Sequence, residues 1–318
     1  MPELALLETP FELGEAIREL GRMFREAGLK TAALDARLLS SHACALPPEA
    51  AIANPRFKLL PEMIVRLQEA AARRLKGEPV SRIIGQREFW GLPFALSPHT
   101  LDPRPETELL VEAVLDYVRE AGLMDGPLRV LDLGTGTGCL LGAILSELPL
   151  ATGVGVDLSE EAAGVARQNM RRLGLRHRAS FLCADWALSL GDASFDIIVC
   201  NPPYIGSSEI AELEAEVKAF DPHLALDGGE DGLDAFRVLL PQALRVLRRK
   251  GLLIFETGHR QPQAVRDLML ESSACTDYLE TIILVDLSGK ERAVAGRRQS
   301  VKSGVSPKKK VGNPSRSG

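Results

Sequence analysis

From Leu128 onward, short apolar runs alternate with longer stretches of helical spacing, and this alternation leaves few folds open. Leu128–Leu133 reads as a buried strand, followed by a glycine-rich turn and a helix through Glu147. Thr152–Val156 is the next strand and Glu160–Leu173 its helix. Ala179–Cys183 and Phe195–Cys200 read as two more strands. Ala235–Leu247 is helical, Leu252–Phe255 a strand and Pro262–Leu270 a helix. Tyr278–Val285 and Arg292–Ala295 read as a closing antiparallel pair that turns at Ser288-Gly289. Repeated strand–helix units demand a parallel sheet with helices on both faces.

The chain ahead of this region has a different character. Phe11, Leu13, Ala16, Ile17, Leu20 and Phe24 recur at helical spacing, and Gly28 stops that helix. Ala33–Leu46 and Pro61–Leu75 continue a small helical bundle, with breaks at Pro47-Pro48 and Pro55. Between 79 and 103, Ile83, Phe89, Trp90, Phe94 and Leu96 mix with Gly85, Gly91 and Pro93, a β-hairpin pattern. Pro103 and Pro105 then open a helix whose first turn carries Glu106 and Glu108, where carboxylates complement the helix dipole. The expected division is a helical bundle at 1–78, a hairpin linker at 79–103, an α/β domain at 104–298 and a disordered tail at 299–318.

Two motifs fall at strand tips. Leu131-Asp132-Leu133-Gly134-Thr135-Gly136-Thr137-Gly138 runs from a strand through a tight turn into a helix. Glycines there permit positive φ and close approach of a ligand to the backbone. The dinucleotide spacing would need glycine at 139, where Cys139 stands, so a cofactor without a pyrophosphate suits the turn better. S-adenosylmethionine is the candidate, held by Gly134, Thr135, Gly136, Thr137 and Gly138. Asp157, at the end of the second strand, is expected to accept the ribose hydroxyls. Asp185 and Trp186, read as ending the third strand, are expected to meet the adenine amino group and ring. Singly, such residues are turn glycines and helix N-caps. Three sets at successive strand ends lie where open α/β sheets bind ligands.

The second motif is Asn201-Pro202-Pro203-Tyr204, after the apolar run Phe195–Cys200. An isolated Asn-Pro-Pro is ordinary turn chemistry. Beside a cofactor turn it suits methyl transfer to a planar, amide-like nitrogen. That nitrogen is a poor nucleophile because its lone pair is delocalised, so an enzyme must orient it and hold its N–H groups. The Asn201 side-chain carbonyl and the Pro202 backbone carbonyl can accept those N–H bonds. The prolines stiffen the loop and remove competing donors, and Tyr204 can pack on the planar group. Asn201, Pro202 and Tyr204 are the candidate catalytic residues. Pro203 joins them in binding substrate, and Asn201 also borders the cofactor. Glu256 could be a structural acid or border the site.

Charge excludes some functions. From Arg297 onward there are seven Lys/Arg and no acid, so a net charge of −5 leaves −12 on the preceding body. An acidic body argues against broad phosphate-backbone binding. The five cysteines include no close pair, and four of them sit in apolar surroundings as expected for reduced core thiols. The five histidines are scattered, so no metal is expected. No leader or membrane-length apolar run is visible, and a monomeric cytoplasmic enzyme is the expectation.

The chain closely resembles the bacterial N5-glutamine methyltransferases of peptide chain release factors, the PrmC or HemK family. The resemblance covers residues 10–298 and rests on Gly85–Phe94, Pro103–Glu108, Asp132–Gly138, Asn201–Tyr204 and Leu226–Gly232. It implies a seven-stranded, Rossmann-like class I methyltransferase sheet with an N-terminal helical bundle. It further implies methylation of the glutamine in the Gly-Gly-Gln loop of class 1 release factors, which the bundle would help to dock. Asp102, where an apolar residue is expected, and the basic tail depart from the pattern. The alternative is an adenine-N6 DNA methyltransferase, which meets the same chemical problem. It would need base flipping, a basic face and a target-reading segment, which the acidic body and small bundle do not supply. A binding-only module would be free to lose the acceptor loop.

Overall fold

The computed structural model describes residues 12–273 and 279–299; Phe11, Cys275, Tyr278 and the tail beyond Gln299 lie outside the described residues. Five helices come first: α1 (Leu13–Glu26), α2 (Ala32–Ala43), α3 (Pro48–Ala53), α4 (Pro61–Leu75) and α5 (Val80–Ile84). Their apolar faces close around Leu13, Leu20, Phe24, Leu39 and Leu67. At the end of α1, Gly28 takes φ +80° and the Leu29 N–H reaches back to the Phe24 carbonyl. The sequence reading is corrected in two places. Pro48 opens α3 instead of ending helix there, because a helix's first turn needs no N–H from proline. Ile83 lies in α5, not in the hairpin, and left-handed Gly85 ends that turn.

The hairpin is β1 (Gln86–Phe89) and β2 (Leu92–Ala95), with Trp90 and Gly91 at positive φ between them. Phe89 and Phe94 pack edge-to-face inside it. After a short 3-10 turn at Pro105–Thr107 comes α6 (Glu108–Glu120). The remaining elements are β3 (Arg129–Leu133), α7 (Cys139–Glu147), β4 (Thr152–Asp157), α8 (Glu160–Arg172), β5 (Ala179–Cys183) and β6 (Phe195–Cys200). There follow α9 (Ala215–Phe220), α10 (Asp234–Val246), β7 (Leu247–Glu256), α11 (Pro262–Ser273), β8 (Leu279–Val285) and β9 (Glu291–Arg298). The basic run at Arg297 and Arg298 thus begins inside the last strand, where Arg298 donates to the Leu244 and Leu247 carbonyls.

The seven strands form one sheet in the order β5-β4-β3-β6-β7-β9-β8. All pairs are parallel except those of β9, which runs antiparallel to β7 and β8. Alternate residues serve opposite faces. Val130, Ile197, Val199, Leu252 and Ile254 pack toward α6, α7 and α8. Leu131, Leu133, Ile198, Cys200, Leu253 and Phe255 pack toward α10 and α11. The order in which strands are added reverses between the parallel neighbours β3 and β6, which creates the crevice where such sheets take ligands.

Candidate functional site

The turn after β3 is built around that crevice. Gly134, Gly136 and Gly138 take φ of +71°, +52° and +79°, a region costly for residues with a Cβ. The Gly134 and Thr135 N–H groups both donate to the Val156 carbonyl, at 2.9 and 3.0 Å. Asp157, at the tip of β4, accepts from the Gly136 N–H at 2.8 Å and the Ser159 N–H at 3.0 Å. Burial holds its carboxyl above the usual range, against the pull of those backbone donors. A carboxylate offers about four acceptor positions, so Asp157 keeps capacity for a ligand. Beneath the turn, Asp132 is buried and accepts from the Thr135 hydroxyl at 2.6 Å, while its Oδ1 has no partner. Burial pushes Asp132 up to about 7.

Trp186 leans over the turn: its ring comes within 3.4 Å of where a Cβ on Gly134 would sit. It holds φ +49°, a conformation rare for a bulky residue. Asp185 and Trp186 do not end the third strand as the sequence suggests. β5 stops at Cys183, and both lie in the loop beyond, with Asp185 exposed. Cys183 is exposed, and its thiol donates to the Leu158 carbonyl at 3.4 Å. Cys44 and Cys200 are buried, and Cys139 is half-buried.

Asn201 follows β6 directly, and its backbone carbonyl lies 3.7 Å from the Cβ position of Gly134. The cofactor-type turn and the proline run are therefore adjacent, as register Leu133↔Cys200 requires. The Asn201 amide donates to the Thr107 hydroxyl, a long contact at 3.4 Å. Among the described residues, the Asn201 side chain hydrogen-bonds through its amide N–H, and no donor to its carbonyl is seen that would compete with a ligand's N–H. Tyr204 turns back under the run, and its hydroxyl donates to Glu256 Oε1 at 3.2 Å. Burial raises the Tyr204 phenol, and the neighbouring Glu256 charge adds to that. Glu256, at the tip of β7, is pushed up to about 7 by burial. A cavity of about 330 Å³ opens here, lined by Asn201, Tyr204, Glu256, Arg104, Glu106 and Arg292 among others.

A clasp missed in the sequence holds the run from behind. The Ile205 N–H donates to the Leu226 carbonyl at 3.0 Å, and the Gly228 N–H returns to the Ile205 carbonyl at 2.8 Å. Gln261 donates to the Tyr204 carbonyl at 2.8 Å and accepts from the Gly258 N–H at 3.0 Å. Gly232 closes it, for a Cβ there would meet both the Tyr204 carbonyl and the Gln261 amide at 2.4 Å. The Leu226–Gly232 segment was visible only as a motif; its contact with Tyr204 spans a distance no local pattern reports.

Two more tethers were not legible. Asn169, wholly buried on α8, accepts from the Ala95 N–H and donates to the Ala95 and Thr137 carbonyls, tying the hairpin to the glycine turn. Asp221, after α9, accepts from Arg82 at 2.6 Å and Arg104 at 2.7 Å, joining α5 to the cavity wall. Asp102 is explained by its setting: it is buried and accepts from the Ser81 hydroxyl. His223 and His259 are exposed. Among the described residues, no group of three or more His, Cys, Asp or Glu could hold a metal, and no helix is long and apolar enough to cross a membrane.

This sheet order, with a glycine turn after its first central strand and an Asn-Pro-Pro-Tyr run after the next, defines a class I methyltransferase domain. The fold alone is shared with the solved hMettl16 catalytic domain, at TM-score 0.52 and 16% identity over 71% of this chain and 81% of that one. A methyltransferase-domain family matches residues 125–296, and the PrmC N-terminal domain family matches 15–85. Curated relatives carry the name release factor glutamine methyltransferase. The protein of Bradyrhizobium diazoefficiens is 45% identical over 89% of this chain and 94% of its own length. That of Rhodospirillum rubrum is 43% identical, over 92% and 89%. The Vibrio cholerae protein is 39% identical, over 89% and 95%. The chain belongs to the release factor glutamine methyltransferase family.

Proposed function

We propose that this protein transfers a methyl group from S-adenosylmethionine to the side-chain nitrogen, N5, of the glutamine in the Gly-Gly-Gln motif of class 1 peptide chain release factors. The observation that carries this reading is the clasped Asn201–Tyr204 lip, set against the glycine turn at the sheet's switch point. Family membership supplies the substrate class.

The residues present fit the donor. Space is open at Gly136, where a Cβ would meet nothing within 4 Å, and Asp157 keeps acceptor capacity beside it. Gly134, Thr135, Gly136, Thr137, Gly138, Asp157, Asp185, Trp186 and Asn201 would hold it. It supplies an electrophilic sulfonium methyl carbon. The remaining work falls to this chain's own residues. The Asn201 side-chain carbonyl and the Pro202 carbonyl accept the two amide N–H bonds, which turns the nitrogen's electrons toward the methyl group. Pro202 and Pro203 fix the backbone so that no entropy is spent on aligning these acceptors. Tyr204 packs on the carboxamide plane. The bundle at 1–78, tied to α9 through Arg74–Glu216 and followed by α5, whose Arg82 pairs with Asp221, serves to dock the release factor.

The test uses labelled S-adenosylmethionine with release factor, with its loop Gln-to-Ala variant, and with duplex DNA. Label is expected on the first alone. Label on DNA, or equal label on the variant, would reject the reading.

A further inference from the structure

The tips of three neighbouring strands are level. Register pairs Leu133 with Cys200 and Cys200 with Phe255, so the next residues across the sheet are Gly134, Asn201 and Glu256. Adjacent strands lie about 4.8 Å apart. Asn201 continues the alternation of Ile197 and Val199, and Glu256 that of Leu252 and Ile254, so both belong to the face that carries α6. Both line the same cavity. Gly134 marks one side of the Asn201 position and Glu256 the other.

Glu256 is only 3% exposed. Its Oε1 receives the Tyr204 hydroxyl, while Oε2 has no partner. A buried carboxylate oxygen without a partner costs stability, and such atoms mark places where a ligand completes the network. The groups that face it are Tyr204 from the lip, the Thr107 hydroxyl, Glu106 and Arg104 from the segment before α6, Arg292 from β9, and the thiols Cys200 and Cys139; the two hydroxyls favour its ionised form but do not outweigh burial. Arg292 pairs with Asp286 at 3.1 Å, and its charge offsets only part of the effect of burial on Glu256.

We propose that Glu256 is a catalytic residue whose Oε2 takes up the proton that the substrate amide nitrogen sheds on methylation. The inference rests on the activity proposed above. The nitrogen's lone pair forms the new N–C bond, and the methyl carbon's bond to sulfur breaks with its electrons left on a then-neutral sulfur. One N–H bond of the cationic nitrogen next breaks and its electrons return to nitrogen. The proton joins Oε2, giving a neutral carboxylic acid that later releases it to water. Methylation at nitrogen makes this proton strongly acidic, so an adjacent ionised carboxylate suffices. A carboxyl poised near neutrality can both take the proton and give it up again.

Glu256→Gln keeps the shape and the acceptor for Tyr204 but cannot take a proton. With release factor saturating, its kcat should fall on the order of 100-fold, while calorimetry gives a cofactor Kd within about twofold of wild type. Wild-type kcat should rise with pH through an inflection near 7, and the variant should lack it. Independently of turnover, the infrared difference between wild type and variant should contain a carboxyl band that titrates near 7. Variant turnover within twofold of wild type, an inflection that survives the substitution, or a band that titrates in the ordinary carboxylate range would each overturn the assignment. A wild-type protein that labels no release factor would instead fail the parent activity, so the two failures are distinguishable.

Discussion

Gly232→Ala should separate the lip from the rest of the enzyme. Gly232 sits at φ +73°, and a Cβ there would lie 2.4 Å from the Tyr204 carbonyl and 2.4 Å from the Gln261 amide. The left-handed backbone alone costs alanine about 1 kcal/mol. Loss of the Gln261 hydrogen bond adds about 1 kcal/mol, and steric overlap a further 1–3 kcal/mol or so. The overlap is relieved when the Tyr204 carbonyl withdraws by about 1 Å, since ordinary carbon contacts lie near 3.5–4.0 Å. A misplacement of about that size costs roughly 100-fold in rate. The assay compares kcat/KM on release factor, cofactor Kd by calorimetry, and the melting temperature. Gly122→Ala is the control, because it has φ +67° but open space around the Cβ. It carries the backbone cost without the clash. The expected result is a roughly 100-fold loss in kcat/KM for Gly232→Ala with cofactor Kd preserved, and a wild-type rate for the control. Equal rates for both, or loss of cofactor binding in parallel with rate, would refute the idea that the clasp positions the lip.

Two further outcomes follow from buried polar groups. Asn169→Leu strands the Ala95 N–H and two carbonyls, so chemical denaturation should record a loss of about 3–5 kcal/mol; a change under about 1 kcal/mol would contradict the tether. Glu256 has an ordinary value of 4.5 and is held at about 7 in the fold, so between those pH values the native state binds more protons than the unfolded chain. The contribution of Glu256 to stability is then greatest below 4.5 and declines as pH rises through 7. Glu256→Gln should remove that decline and gain roughly 3 kcal/mol over wild type at pH 8 relative to pH 4, as measured by urea unfolding at both pH values. A pH-independent difference would place Glu256 in a solvated setting.

The sheet was legible because burial on two faces writes long apolar runs: Phe195–Cys200 and Ala179–Cys183 were read with the bounds they have. The same signal limits what can be seen. Helices of five or six residues, α3, α5 and α9, are too short to complete a periodic pattern, and all three escaped. The glycine turn and the proline run could be placed at strand tips because each is local. Gln261, Gly232, Asn169 and Asp221 act across 29 to 139 residues, and no neighbouring residue announces their partners. Glu256 looked undecided because its role depends on lying level with Asn201, a matter of register between β6 and β7. The exposure of Cys183 was not legible because an apolar strand context does not say which strand is at an edge, and β5 is.

The most direct measurement is single-turnover methylation of release factor by Asn201→Ala at saturating S-adenosylmethionine, with cofactor affinity measured on the same preparation. Loss of a preorganised acceptor should lower the rate by about 100- to 1,000-fold and leave cofactor Kd within about threefold, a change under 1 kcal/mol. A near-normal rate would mean that the carboxamide is gripped elsewhere, and would contradict the role given to the lip.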